Sequence, residues 1–522
     1  MSLPKSLPGL VLVLVCLASA ISPAQAQTGP DQPRLLAPTG PHAVGRSAFH
    51  WLDEDRAELH TPDDPDDRRE LLVEVWYPAD PEPNAAPGSY YSQPLADLFS
   101  TIFSVPGNRL HGVLANAYPD APLAADEARY PVVIFDPGFS GMPRQYTIFL
   151  EELASHGYVV FSTSRPYITT LTAFPDGRLI EPLSADRLAT LWAPRDIYEA
   201  EFSEVWVPDL EFVLAQIAQL DADDPAGRFS GRLDLERLGV IGHSQGARTV
   251  SEICLRDTRC QGAINLDGAY SAGVQVGYAR PYLMMLADNG VDNFVSTFRY
   301  GLEAIPQDYY VLMIPGTQHN SFQDLAFWLP LVFEGDLTVE IMAAQVAVLD
   351  YRAYMLAFFG QVLRDQPAPL LAGPDPDRPE VFFLAREEPV ASPVEGVTPQ
   401  PVTPGETQRG TLTVGSAEVW TYTARAGEVV NIYLLADRPA NQTNQQQRER
   451  YGLLDTLLVL RAPDGSLLAA NDDFGLGTNS ALEGIMLPAA GEYRIEVRSW
   501  QSQTAGDYTL LIEPVKLPDQ PA

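Results

Sequence analysis

Between residues 131 and 316, short apolar runs alternate with stretches of helical texture, and this alternation restricts the fold more than any other feature of the chain. The runs are PVVIFD, YVVFSTS, RLGVIG, GAINLD, YLMMLAD and YYVLMIPG, with FLEELASHG and VPDLEFVLAQIAQL between the earlier ones. Near-continuous apolar runs belong to strands covered on both faces, and parallel strands need a crossover between them. The pattern therefore predicts an α/β fold with a mostly parallel sheet and helices on either side. In such a sheet, ligands bind beyond the carboxyl ends of the strands.

The run RLGVIG leads into GHSQG at 242–246, a serine between two glycines. After a strand and before a helix, this spacing is a nucleophile elbow, in which a tight turn lifts the hydroxyl of Ser244 above the sheet. Chance alone produces the pentapeptide in roughly one chain in six of this length, so its weight depends on whether a base, an acid and an oxyanion hole accompany it. Of seven histidines, only His319 follows the serine, in MIPGTQHNSF just beyond a strand. His243, next to the serine, is expected to point elsewhere because adjacent residues on an elbow diverge.

Two aspartates end strands between these residues: Asp267 in GAINLDGAY and Asp288 in YLMMLADNG. Either could orient His319 and stabilise its imidazolium. Gly268 favours Asp267, because a glycine there permits the sharp turn that exposes a strand-end carboxylate. One oxyanion donor is the amide of Gln245, directly after the serine. The second is assigned to Phe139 in FDPGFSG, where glycines let the backbone approach a substrate closely.

The chain has 522 residues, enough for two domains, and carries 68 acidic against 34 basic side chains for a formal net charge of −34. Such a surface repels nucleic acid and anionic lipid, and nucleic-acid partners are excluded. Lys5, the run LVLVLVCLASA and Ala24-Gln25-Ala26 have the order of a secretory signal peptide over 1–26, so the mature protein is expected to be secreted and soluble. Cys254 and Cys260 then remain, as a local disulfide in an oxidising compartment or as two buried thiols.

The α/β-hydrolase domain is placed at 27–380 and a Pro/Thr-rich linker at 381–408. From 409 to 515 short β-branched runs such as VWTYTAR, VVNIYLLA and YRIEVRS predict a small all-β sandwich. Leu95, Leu98, Phe99, Ile102 and Phe103 share a helical face, and LAFWLPLVF follows His319. Such stripes belong to core or to a lipid surface.

With these residues in hand, 38–380 resembles the platelet-activating factor acetylhydrolase family of α/β hydrolases. The likeness rests on PTGPHAVG, RRELLVEVWYPA, RYPVVIFDPGFSG, EELASHGYVV, GHSQG, NLDG and QHNSF. It implies a calcium-independent ester hydrolase with no cofactor and no metal, acting on short or oxidised acyl chains at the second position of a phospholipid. It also implies Asp267 as the acid beside Ser244 and His319. The family's oxyanion loop often reads Ser-His-Gly where this chain has Asp136-Pro137-Gly138, which bears on substrate preference. Exported polyester hydrolases and cutinases share the elbow but take their acid from a later strand, here Asp288. The downstream segment resembles the bacterial pre-peptidase C-terminal domain, a module often attached to secreted hydrolases. It implies an extracellular target, and Asp455, Asp472 and Asp473 are candidate calcium ligands or turn residues. A peptidase and a non-catalytic surface-binding protein are the remaining readings.

Overall fold

In the computed structural model, which describes residues 32–105, 109–192, 195–268, 280–288, 309–333, 338–385, 393–413, 415–436, 454, 456–471, 479–499 and 505–515, the apolar runs become strands of one ten-stranded sheet. In chain order these are β1 (Ala43–Ala57), β2 (Arg68–Ala79), β3 (Tyr118–Pro119), β4 (Tyr130–Asp136) and β5 (Val159–Ser164); then, after a small hairpin of β6 (Thr172–Ala173) and β7 (Leu179–Ile180), β8 (Leu233–His243), β9 (Cys260–Leu266), β10 (Tyr282–Ala287), β11 (Tyr309–Ile314) and β12 (Phe382–Ala385). The order across the sheet is β12-β11-β10-β9-β8-β4-β5-β2-β1-β3. The six strands from β11 to β5 run parallel; β2 pairs antiparallel with β5 and β1, β12 pairs antiparallel with β11, and β3 joins β1 in parallel.

The α-helices among the described residues are α1 (Gln93–Ile102), α2 (Thr147–Ser155), α3 (Ala185–Trp192), α4 (Arg195–Glu201), α5 (Val207–Ala222), α6 (Gln245–Arg256), α7 (Leu325–Val332) and α8 (Val339–Arg364). Side chains alternate across the pleat, so Val133 and Phe135 of β4 join one core with α2 and α8, while Val132 and Ile134 join the other with α5 and α6. The faces follow from the connections. β4 passes through α2 to β5 in one direction, and β5 returns through α5 to β8 in the other. Right-handed crossovers in opposite directions put their helices on opposite faces. The order reverses between β4 and β8, which opens a crevice at their carboxyl ends.

The apolar stripe near residue 95 is mostly internal. Leu95 and Phe99 are buried, and Phe99 stacks on Tyr91 at 4.8 Å and meets Trp328 of α7 at 6.4 Å. Leu98 and Phe103 are half-buried, and Ile102 is exposed. The domain edge also differs from the sequence reading. Phe382–Ala385 pairs with β11, so the sheet continues past 380, and Gln400–Pro401 (β13) already pairs with a strand of the following unit. A short strand recruited by tertiary pairing carries little local signal among prolines and charges.

That unit contains a five-stranded sheet of order β13-β15-β20-β17-β18 and a four-stranded sheet of order β14-β21-β16-β19. Its strands are β14 (Gln408–Leu412), β15 (Ala417–Ala424), β16 (Glu428–Ala436), β17 (Thr456–Arg461), β18 (Leu467–Asn471), β19 (Ser480–Leu487), β20 (Gly491–Ser499) and β21 (Gly506–Pro514). Trp420, Leu458 and Ile495 from the first sheet and Ile432, Leu482 and Leu510 from the second share one core. Cys254 and Cys260 are joined as a disulfide that links the end of α6 to the first residue of β9. The expected signal segment 1–26 and Asp455, Asp472 and Asp473 lie outside the described residues.

Candidate active site

Ser244 stands between the end of β8 and the first turn of α6 with φ 55° and ψ −119°, a backbone region that L-residues rarely occupy. Both flanking glycines are required for space. A Cβ on Gly246 would lie 2.1 Å from the carbonyl oxygen of Asp136, and one on Gly242 would lie 2.5 Å from the backbone of Gly246. The turn is tied to the neighbouring strand by the Ser244 amide, which donates to the Leu266 carbonyl at 2.9 Å. Among the described residues, seven non-glycine positions have positive φ, and Ser140, Ser244 and Asp267 are three of them. Each such residue costs on the order of 1–3 kcal/mol, and strain of this kind gathers where chemistry needs a fixed geometry.

Asp267 follows β9 at φ 48°. Its amide donates to Met285 O at 2.8 Å, one carboxylate oxygen accepts from the Ala287 amide at 3.1 Å, and the other meets His319 Nδ1 at 2.6 Å. The side chain of Asn265 clasps Gly268 from both sides, accepting from its N–H at 2.7 Å and donating to its carbonyl at 3.1 Å. The carboxylate fixes the proton of His319 on Nδ1, which leaves Nε2 as the basic nitrogen. Asp288 goes elsewhere. Its carboxylate accepts from the Gly316 amide at 2.8 Å, and its amide donates to Thr317 O at 3.1 Å, so it caps the turn that begins the His319 loop.

The loop after β4 lies directly above the serine: a Cβ on Gly138 would sit 3.1 Å from both Ser244 Cβ and His243 Nδ1. Its far end is held by Thr170, whose amide and hydroxyl donate to Ser140 O at 3.0 and 2.7 Å. Phe139 is half-buried and stacks on Trp206 at 6.2 Å; Arg165 lies over that indole at 4.2 Å. Gln245 opens α6, and its side chain accepts from the Tyr198 hydroxyl. The residue before Phe139 thus approaches the serine, and Gln245 follows the serine directly in the chain.

Sequence reasoning missed what lies underneath. Asp136 is buried and takes two hydrogen bonds from Arg165, at 2.6 and 3.1 Å. Arg165 also reaches Asp209 at 3.3 Å, and Asp209 is held by Arg69 at 2.7 and 3.0 Å and by Arg56 at 3.0 Å. Glu58 completes the cluster on Arg69 at 2.8 Å. Burial pushes Asp136 up to about 6 against the pull of Arg165. Burial pushes Asp209 the same way, but there Arg69, Arg165 and Arg56 outweigh it and hold the carboxyl below its usual range. The Asp136-Pro137-Gly138 departure is thus the strand-end member of a buried ion cluster that anchors the loop from below. Its one sequence signal is an acidic residue closing an otherwise apolar strand.

Among the described residues, no group of three or more His, Cys, Asp or Glu side chains could hold a metal.

The family model for platelet-activating factor acetylhydrolase, isoform II, matches residues 30–165 and 191–365. The unmatched 166–190 holds the β6–β7 hairpin and the start of α3. A curated protein of Arthroderma benhamiae, named a probable 1-alkyl-2-acetylglycerophosphocholine esterase, is 24% identical over 286 residues, covering 50% of this chain and 67% of its own length. The structure of a ferulic acid esterase from Streptomyces cinnamoneus is similar with a TM-score of 0.54 and 28% identity, over 68% of this chain and all of that one. With the family model spanning more than half of the chain, including β4, the elbow and the His319 loop, the protein belongs to the platelet-activating factor acetylhydrolase family, isoform II, and is a carboxylic ester hydrolase.

Proposed function

We propose that the protein is a secreted serine esterase that removes short or oxidised acyl groups from the second position of phospholipids through an acyl-enzyme. The observation that carries the reading is the 2.6 Å contact of Asp267 with His319 Nδ1 at the carboxyl edge where Ser244 stands on its elbow. His319 Nε2 takes the Ser244 proton as Oγ attacks the ester carbonyl, and the amides of Phe139 and Gln245 receive the oxyanion. The tetrahedral species expels the lysolipid alkoxide, which leaves with the proton from His319. Water, deprotonated by the same nitrogen, then releases the acid and restores the serine.

Export is supported by the Cys254–Cys260 disulfide, since such bonds persist in oxidising compartments. Contact with a lipid surface is supported by exposed Ile102, Leu331 and Phe333. The two-sheet unit after residue 400 is proposed to be a β-sandwich of the pre-peptidase C-terminal type that docks an extracellular target. Its support is the single core shared by both sheets.

A second reading, a general esterase for aryl or aromatic acyl esters, is favoured by the similarity to the ferulic acid esterase and by the aromatic wall of Phe139 on Trp206. The test is acetate release from a phosphatidylcholine analogue acetylated at its second position, with Ser244→Ala as control. Fast release that the substitution abolishes supports the first reading; cleavage of aryl esters with this lipid untouched turns the assignment to the second. Esterase activity retained by Ser244→Ala removes the serine mechanism from both.

A further inference from the structure

His243 is buried beside the serine and takes no part in the proton transfers above, yet both of its ring nitrogens are engaged. Nε2 lies 2.9 Å from the carbonyl oxygen of His319, and Nδ1 lies 2.9 Å from the Tyr146 hydroxyl. A carbonyl only accepts, so Nε2 carries the ring proton and Nδ1 is bare. Tyr146 must therefore donate to Nδ1, which turns its oxygen into the acceptor for the Gly138 amide at 3.4 Å. One acceptor-only group thus sets the direction of every bond in a chain that runs from the oxyanion loop, through the elbow, to the backbone of the residue read as the base.

From this chain we propose that His243 is a positioning residue for ester hydrolysis, holding the His319 backbone and, through Tyr146, the oxyanion loop at one fixed spacing across Ser244. The inference rests on the serine-esterase reading. It gains from the electrostatics of the pair. The imidazoles of His243 and His319 lie with centroids 4.5 Å apart, tilted by 36°, so a charged His243 would oppose the proton that His319 must accept. Burial, with His319 beside it, holds His243 well below the usual imidazole range and keeps it neutral. Burial raises the Tyr146 hydroxyl, which stays a donor. A neutral, doubly bonded ring can brace its neighbour without competing for the proton.

The experiment compares three variants of the full mature chain: His243→Leu, which keeps bulk without polar atoms; His243→Gln, whose amide N–H can reach the same carbonyl; and Tyr146→Phe, which removes one hydroxyl and leaves the ring. kcat and KM on a short-chain aryl ester are measured with the melting temperature and the rate of Ser244 inactivation by a small sulfonyl fluoride. A misplaced catalytic group costs about 100-fold. The expected result is a kcat and an inactivation rate about 100-fold lower in His243→Leu at nearly unchanged KM, recovery by His243→Gln to within about tenfold, and an intermediate loss in Tyr146→Phe. Equal rates for His243→Leu and His243→Gln, or losses that merely follow the melting temperature, would overturn the proposal. If His243→Leu does not fold, an unchanged kcat in Tyr146→Phe does the same. Persistence of activity in Ser244→Ala would instead remove the underlying mechanism, so the two failures are separable.

Discussion

Asp267 and Asp288 end adjacent parallel strands at the same edge of the sheet, and both touch the loop that carries His319, yet they do different work. Asp267 turns back at positive φ and puts a carboxylate oxygen on His319 Nδ1. Asp288 leaves its strand without that reversal and spends its carboxylate on the Gly316 amide. Position at a strand end does not decide the role. What decides it is the residue after the aspartate. Gly268 passes so close under the elbow that a Cβ there would stand 2.2 Å from the Ser244 carbonyl oxygen, and only a bare backbone allows Asp267 to face the histidine.

The sharpest way to break this comparison is Asp267→Asn. The amide would favour the wrong tautomer of His319, and kcat is expected to fall by about 10⁴-fold with the fold intact. Steady-state kinetics on an aryl ester check it, and an equal loss in Asp288→Asn would erase the distinction. Next in size is Gly268→Ala. Its Cβ would also lie 2.5 Å from Ala247 Cβ, so the backbone must shift, at about 1–3 kcal/mol of stability and about 100-fold in kcat. The matched change beside Asp288, Gly316→Ala, meets only Ala343 at 3.3 Å but sits at φ +81°. It should cost about 1–2 kcal/mol and leave kcat nearly unchanged, as paired urea melts and rate measurements would show.

A third test concerns the neutral partner of His319. The unfolded chain binds a proton at His243 below about pH 6.5, while the folded chain, with this ring held well below that value, does not. Stability is therefore fully present above pH 6.5 and is lost as pH falls toward the folded pKa of His243, by up to about 1.4 kcal/mol per pH unit. Urea unfolding at pH 7.5 and 5.5 should show this slope, and His243→Gln should flatten it. The smallest effect is expected from Asp288→Asn itself: about 0.5–1.5 kcal/mol from a weakened turn, with kcat within about twofold of the parent.

The elbow, the histidine and the strand alternation were legible because each is a local pattern with a physical requirement: two glycines around a serine, one histidine after it, apolar runs of strand length. Asp267 against Asp288 was only half legible, since Gly268 marked a turn without saying what it passed beneath. The loop's anchorage was not legible at all. Arg165 lies 29 residues from Asp136 and Arg69 lies 140 from Asp209, and no local pattern reports pairs brought together by the sheet. His243 was expected to point elsewhere than the serine, but the contacts that engage it were not legible, since its partner Tyr146 is 97 residues distant. The apolar stripe on α1 was left open between core and lipid surface for the same reason: whether a face meets solvent depends on α7, whose Trp328 packs against it.

The buried ions beneath the oxyanion loop also limit how this sequence can change. Asp136, Arg165, Asp209, Arg69 and Glu58, with half-buried Arg56, pair with one another largely out of contact with water. Removing any one strands a charge at about 3–5 kcal/mol, a large part of the 5–15 kcal/mol by which a typical domain is stable. Replacing several together with well-packed apolar side chains can be close to neutral. The route from Asp-Pro-Gly to another loop sequence is therefore blocked one substitution at a time and open only to concerted exchange, so the loop's pattern is inherited as a block with residues on four other segments of the chain.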